Sequence, residues 1–165
     1  MQIQANGLHI EVDDQGPRTG PVVLLIMGSG MQPIAWPQAL VDELMARGFR
    51  VLRLDNRDIG LSQDFDHAGV PHMALAGLRH LMHLPVRSPY SLADMARDAL
   101  SVLDALGIAQ AHVCGASMGG MIAQHLAATA PQRVASLTLM MTTSGARSLP
   151  RPRWGLQRTL MSRPA

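Results

Sequence analysis

The sequence predicts an α/β fold: a mostly parallel sheet with an antiparallel hairpin at its N-terminal end and helices on both faces. Three observations carry this expectation. Apolar runs of strand length at 22–27, 49–54, 110–114 and 134–141 alternate with stretches of helical periodicity, and a strand, helix, strand order calls for parallel pairing with right-handed crossovers. Several of these runs are apolar at consecutive positions, as in strands covered on both faces. Asn6 and Gly7 separate two short strand-like runs, 2–5 and 8–13, and such a two-residue turn makes a hairpin.

After the hairpin, Pro21 precedes VVLLIM, a run that ends in Gly28, Ser29 and Gly30 and suits a central strand. Helical spacing from Trp36 to Arg47 is closed by Gly48, a residue suited to ending a helix. Phe49 to Leu54 predicts the next strand, and Asp55 to Ser62 the loop after it. Between Gln63 and Tyr90, a segment carrying His67, His72, His80 and His83, the stretch MALAGLRHLMHL predicts a short amphipathic helix near the strand ends.

From Ser91, SLADMARDALSVLDALG sets Asp94 three residues after Ser91 and closes on Gly107, a capping-box start to a helix. Residues 110–114 predict a short strand, Ser117 to Ala130 a helix ended before Pro131, and Val134 to Met141 a further strand. That last strand is apolar on both faces, so an unflanked position would leave an association-prone edge. From Ser144 the chain is rich in Arg and Pro, and the pattern allows one more helix from Trp154 to Met161. Residues 1–145 are expected to form one core and residues 146–165 a tail.

Composition narrows the function classes. A chain of 165 residues with 47% apolar and 16% charged residues is that of a globular domain, able to bury roughly 70% of its unfolded surface. Its net charge of +2 comes from 14 Arg and no Lys against 12 acids, too small an excess to imply a nucleic acid partner. Cys114 is the single cysteine, which rules out an intrachain disulfide and points to a reducing, cytoplasmic setting. The first residues lack the pattern of a secretory signal, and no apolar run is long enough to span a bilayer. No metal-ligand spacing is present, and no cofactor is expected.

The chemistry lies at residues 115–120, Gly-Ala-Ser-Met-Gly-Gly. A serine between small residues, after a strand and before a helix, is held on a sharp turn with Oγ exposed above the sheet. Ser117 is therefore the candidate nucleophile for acyl transfer. The amide of Met118 opens the following helix and faces the space where an oxyanion would develop. A second donor is expected from the loop after the third strand, where Gly28 lets the backbone approach and the Ser29 amide is the best candidate. Thr142 and Thr143 follow the sixth strand at its carboxyl end, where open α/β sheets place ligands, and are candidates for substrate contact together with Gly28. Cys114 reads as a buried packing residue.

The order MGSG, DNRDIGLS and GASMGG resembles the α/β-hydrolase superfamily over residues 1 to about 145, and within it the branch of methylesterases and proline-iminopeptidase-like enzymes. The resemblance implies the N-terminal part of an α/β-hydrolase fold, truncated at the start of a cap near residue 146. It implies serine hydrolysis of a small-molecule carboxylic ester, with thioesters and N-terminal proline amides also open. A serine in this turn argues against haloalkane dehalogenase and epoxide hydrolase chemistry, whose resembling branches use an acidic nucleophile. Met27 stands where the family usually has a histidine.

One departure is larger. In the family an acid and then a histidine follow the nucleophile, yet no Asp or Glu follows Asp104. His112 lies five residues before Ser117 on a strand, about 16 Å away, and His125 eight residues along a helix, about 12 Å away. Neither is within hydrogen-bond reach. Asp55 and Asp58 precede the nucleophile, the wrong order for its acid, and their loop is expected to be architectural. The expectation is a serine esterase needing a complementing C-terminal chain. The alternative is a non-catalytic truncated chain, a binding or assembly module that self-associates through the edge of strand 134–141.

Overall fold

A computed structural model describes residues 1–69, 73–82, 84–86, 88–146 and 148–149, without the side chains of 73, 74, 80 and 81. The helix expected from Trp154 to Met161, His72, His83 and the side chain of His80 lie outside the described residues. The strands are β1 (Gln2–Ala5), β2 (Leu8–Gln15), β3 (Val22–Ile26), β4 (Arg50–Leu54), β5 (Ala111–Ala116) and β6 (Val134–Met140). The helices are α1 (Gln38–Ala46), α2 (Met73–Leu81), α3 (Leu92–Ala105) and α4 (Met118–Thr129). Six strands form one sheet in the order β1-β2-β4-β3-β5-β6. Pairing is antiparallel between β1 and β2 and between β2 and β4, and parallel elsewhere.

The pleat explains the two cores. Val22, Leu24 and Ile26 of β3 point to one face, with Leu52 and Leu54 of β4 and Val113 of β5, and pack against Met95, Ala99, Val102 and Leu103 of α3 and Ile122 and Leu126 of α4. Val23 and Leu25 point to the other, with Val51, Ala116, Trp36 and Val41 of α1. Alternate residues thus serve opposite layers, which is why β3 is apolar throughout. The hairpin turn takes positive φ at both central residues, 50° at Asn6 and 76° at Gly7, the geometry that favours this pair. Ser91 and Asp94 form the expected reciprocal capping box at the start of α3.

Several boundaries shift from the sequence expectation, three of them for a clear local reason. The helix expected from Trp36 begins at Gln38, because Pro37 drives Trp36 into an extended conformation, φ −70° and ψ 126°. β2 runs on to Gln15 since Asp13 and Asp14 find arginines on β4: Arg53 Nε donates to Asp13 Oδ2 at 2.8 Å, and Arg50 grips Asp14 at 2.9 and 2.7 Å. β5 extends past 114 to Ala116 because β6 pairs with it up to Met140. β6 lies at one edge of the sheet, and Leu137 and Leu139 on it are exposed.

Candidate active site

Ser117 caps the junction of β5 and α4 with φ 53° and ψ −120°, an arrangement that costs a non-glycine residue roughly 1–3 kcal/mol. The surrounding glycines make it buildable. A Cβ at Gly115 would strike the carbonyl of Gly119, one at Gly119 would strike the carbonyl of Ile26 on β3, and one at Gly120 would stand 2.6 Å from Thr142 Cγ2. The turn is held from β6: the Ser117 amide donates to the Met140 carbonyl at 2.9 Å, and its carbonyl accepts from Thr142 Oγ1 at 2.7 Å and from the Gly120 amide at 3.0 Å. Ser117 is exposed and Met118 half-buried. As the first residue of α4, Met118 has no intrahelical acceptor for its amide.

The loop after β3 passes directly beside this serine. A Cβ at Gly28 would lie 3.0 Å from Ser117 Cβ and 3.4 Å from its Oγ, so the backbone approach depends on the missing side chain. Asn56 fastens the loop, its Nδ2 donating to the Met27 carbonyl at 2.9 Å inside the protein. Ser29 follows and shares a cavity of about 300 Å³ with Ser117. Met27, Met31, Trp36, Met140 and Met141 make that cavity largely apolar, and among the described residues no histidine and no acid line it. The indole nitrogen of Trp36 is buried without a hydrogen-bond partner among the described residues.

The structure does not gather all the sequence candidates at Ser117. Gly28, Ser29 and Met118 lie around it. Thr142 touches its backbone carbonyl rather than the cavity lining, while Thr143 lines a separate cavity with His125 and accepts from Gln124 Nε2 at 3.2 Å through its carbonyl. His112 is engaged elsewhere, its Nδ1 2.8 Å from Ser136 Oγ and its ring edge-on to Phe49. Cys114 packs at the rim of the smaller core, where burial pushes its thiol pKa up.

The loop from Asp55 to Ser62 is bound into the scaffold. Asp55 Oδ2 accepts from the Leu61 amide at 2.9 Å, and Ser62 Oγ donates to the Asp55 carbonyl at 2.7 Å. Burial raises the pKa of Asp55, against the opposing pull of the Leu61 amide, and its Oδ1 has no partner among the described residues. Arg57 is gripped by both carboxylate oxygens of Asp98 at 2.6 Å, with both side chains buried, and lies 5.2 and 5.1 Å from the ring centres of Phe65 and Tyr90. Tyr90 donates to Asp58; burial and that carboxylate push its pKa up to about 12. Sequence reasoning missed Asn56 and Asp98. The second left a trace, as an acid among the apolar positions of α3.

Among the described residues no group of three or more His, Cys, Asp or Glu side chains is arranged to hold a metal, and no helix is long and apolar enough to cross a membrane.

Known proteins resemble this chain in sequence and in fold. The chain is 38% identical over 125 residues to a rhodomycin D methylesterase from Streptomyces sp. (strain C5), covering 76% of this chain and 36% of that protein. It is similar in structure to an enol-lactonase from Burkholderia xenovorans LB400, with a TM-score of 0.69 and 28% identity over 87% of this chain and 47% of the other. A meta-cleavage product hydrolase from Pseudomonas fluorescens IP01 matches the fold at a TM-score of 0.73 and 23% identity, over all of this chain and 52% of that one. The chain thus spans about a third of the length of the curated methylesterase and about half of these two solved structures. Residues 21–160 match the family model for the alpha/beta hydrolase fold, and the chain belongs to that family.

Proposed function

We propose that this chain carries the nucleophile and oxyanion half of a serine ester hydrolase. Ser117 Oγ attacks the ester carbonyl carbon while its proton passes to a base, and the carbonyl oxygen, now an oxyanion, accepts from the Ser29 and Met118 amides. Collapse of that intermediate expels the alcohol, which takes up the proton, and water then releases the acid by the same steps. The observation that carries the reading is the strained Ser117 turn with the Gly28 backbone against its Oγ. The apolar cavity of about 300 Å³ favours an apolar ester, and the similarity to a methylesterase supports the same class.

The base and its acid belong to polypeptide other than residues 1–165. Among the described residues no titratable side chain lines the Ser117 cavity, no acid follows Asp104 in residues 105–165, and the methylesterase relative is far longer. In this reading residues 1–145 are part of the hydrolase core and 146–165 lead into a cap or tail. The lone Cys114 fits a reducing, cytoplasmic setting. The exposed β6 edge favours a second reading, in which the chain alone acts as an assembly module.

A fluorophosphonate ester, applied with imidazole in place of the missing base, tests the nucleophile. Peptide mass spectrometry should find its adduct on Ser117 in preference to Ser29, Ser136 and Ser144, and none at that position in Ser117→Ala. An adduct spread evenly over exposed serines would overturn the assignment.

A further inference from the structure

We propose that Thr142 is a positioning residue for the nucleophile, acting through the backbone of Ser117; the inference rests on the reading of Ser117 given above. Two strained residues face each other across the junction of β5 and β6. Ser117 has φ 53°, and Met141, immediately after β6, has φ 48°. The turn at Met141 lets its two neighbours grip the same residue: the Met140 carbonyl takes the Ser117 amide, and the Thr142 hydroxyl donates to the Ser117 carbonyl at 2.7 Å. Fixing both peptide groups of one residue fixes its φ and ψ, and with them the direction in which its Cβ and Oγ project.

The side chain at 142 is itself held. Thr142 Cγ2 and Oγ1 occupy the space that a β-carbon at Gly120 would fill, 2.6 and 2.8 Å from its place. A β-branched side chain has few rotamers to choose from, and packing on Gly120 selects the one that aims the hydroxyl at Ser117. The second glycine of GASMGG therefore has a task apart from the turn itself: it makes room for the clamp. The Ser117 carbonyl keeps the Gly120 amide as a partner when the hydroxyl is removed, so losing Thr142 Oγ1 releases the geometry without orphaning a buried group.

The test compares Thr142→Val, which keeps the shape and loses the hydroxyl, with Thr142→Ser, which keeps the hydroxyl. Fluorophosphonate labelling of Ser117, again with imidazole as the base, is resolved into inhibitor affinity and the rate of the covalent step. Thr142→Val should slow the covalent step about tenfold with affinity changed less than about threefold, and Thr142→Ser should restore most of the rate. Amide hydrogen exchange provides a second readout, independent of labelling: the Ser117 amide should exchange about tenfold faster in Thr142→Val, while amides of α3 stay unchanged. Wild-type exchange at Ser117 in Thr142→Val, or a wild-type covalent rate there, overturns the clamp. Equal labelling of the wild-type chain and Ser117→Ala would instead refute the nucleophile reading, and the exchange measurement would still decide the role of Thr142.

Discussion

Gly28 and Ser117 pack so closely that a β-carbon on the first would stand 3.0 Å from the β-carbon of the second and 3.4 Å from its Oγ. A side chain there is accepted only if the loop or Ser117 gives by a few tenths of an ångström. Gly28→Ala should shift the loop and its neighbouring Ser29 amide from the serine by that amount, and since a misplacement of about 1 Å can cost about 10²-fold in reactivity, this smaller one should cost about threefold to tenfold. Fluorophosphonate labelling should fall by that order while the thermal midpoint changes little, since Gly28, although buried, lines the cavity and belongs to neither apolar core cluster. Unchanged labelling would show that the loop contributes nothing to Ser117.

The buried pair of Arg57 and Asp98 predicts a large stability effect. Asp98→Ala leaves the guanidinium buried without its carboxylate and removes the acceptor for Asn6 Nδ2, bonded at 2.7 Å. Breaking one side of a buried pair typically costs about 3–5 kcal/mol, so urea unfolding should show a loss of that order. A change below about 1 kcal/mol would mean that Arg57 reaches solvent instead.

Asp55 predicts a pH dependence with an unusual sign. Burial holds its pKa above the ordinary carboxylate value, so the folded state binds its proton more tightly than the unfolded chain does. Its contribution is most favourable below the unfolded value of about 3.9 and is lost as pH rises through the elevated folded value. Relative to Asp55→Asn, the wild-type chain should therefore lose stability between about pH 4 and its folded pKa, then run parallel above it. Urea midpoints across that range check this; parallel profiles throughout would contradict it.

The edge of β6 predicts association. Leu137 and Leu139 are exposed on a strand whose outer edge has no neighbour among the described residues, and a lysine on such an edge discourages pairing. Sedimentation at tens of micromolar should show self-association of the 165-residue chain, reduced in Leu137→Lys. A stable monomer would count against it.

Much of this was legible in the sequence because it is local. The elements from β1 to β6 followed from apolar runs and turn residues, and GASMGG specified its own turn because only glycines fit where Gly115 and Gly119 meet backbone carbonyls. The start of α1 was misread since helical periodicity includes Trp36, whereas Pro37 overrides it. The pairing of Asp13 and Asp14 with Arg53 and Arg50, Asn56 on Met27, and Thr142 on Ser117 join residues 25 to 40 positions apart. Such contacts depend on strand register, which no local pattern reports.

Chemical rescue tests the central claim most directly. If Ser117 has its oxyanion donors but no base within residues 1–165, a small base in solution should replace the missing group. The measurement is hydrolysis of a p-nitrophenyl ester by the wild-type chain minus that by Ser117→Ala, followed against imidazole concentration. The difference should be negligible without imidazole and rise with it. A robust Ser117-dependent rate without imidazole, or no difference at any concentration, would contradict the account.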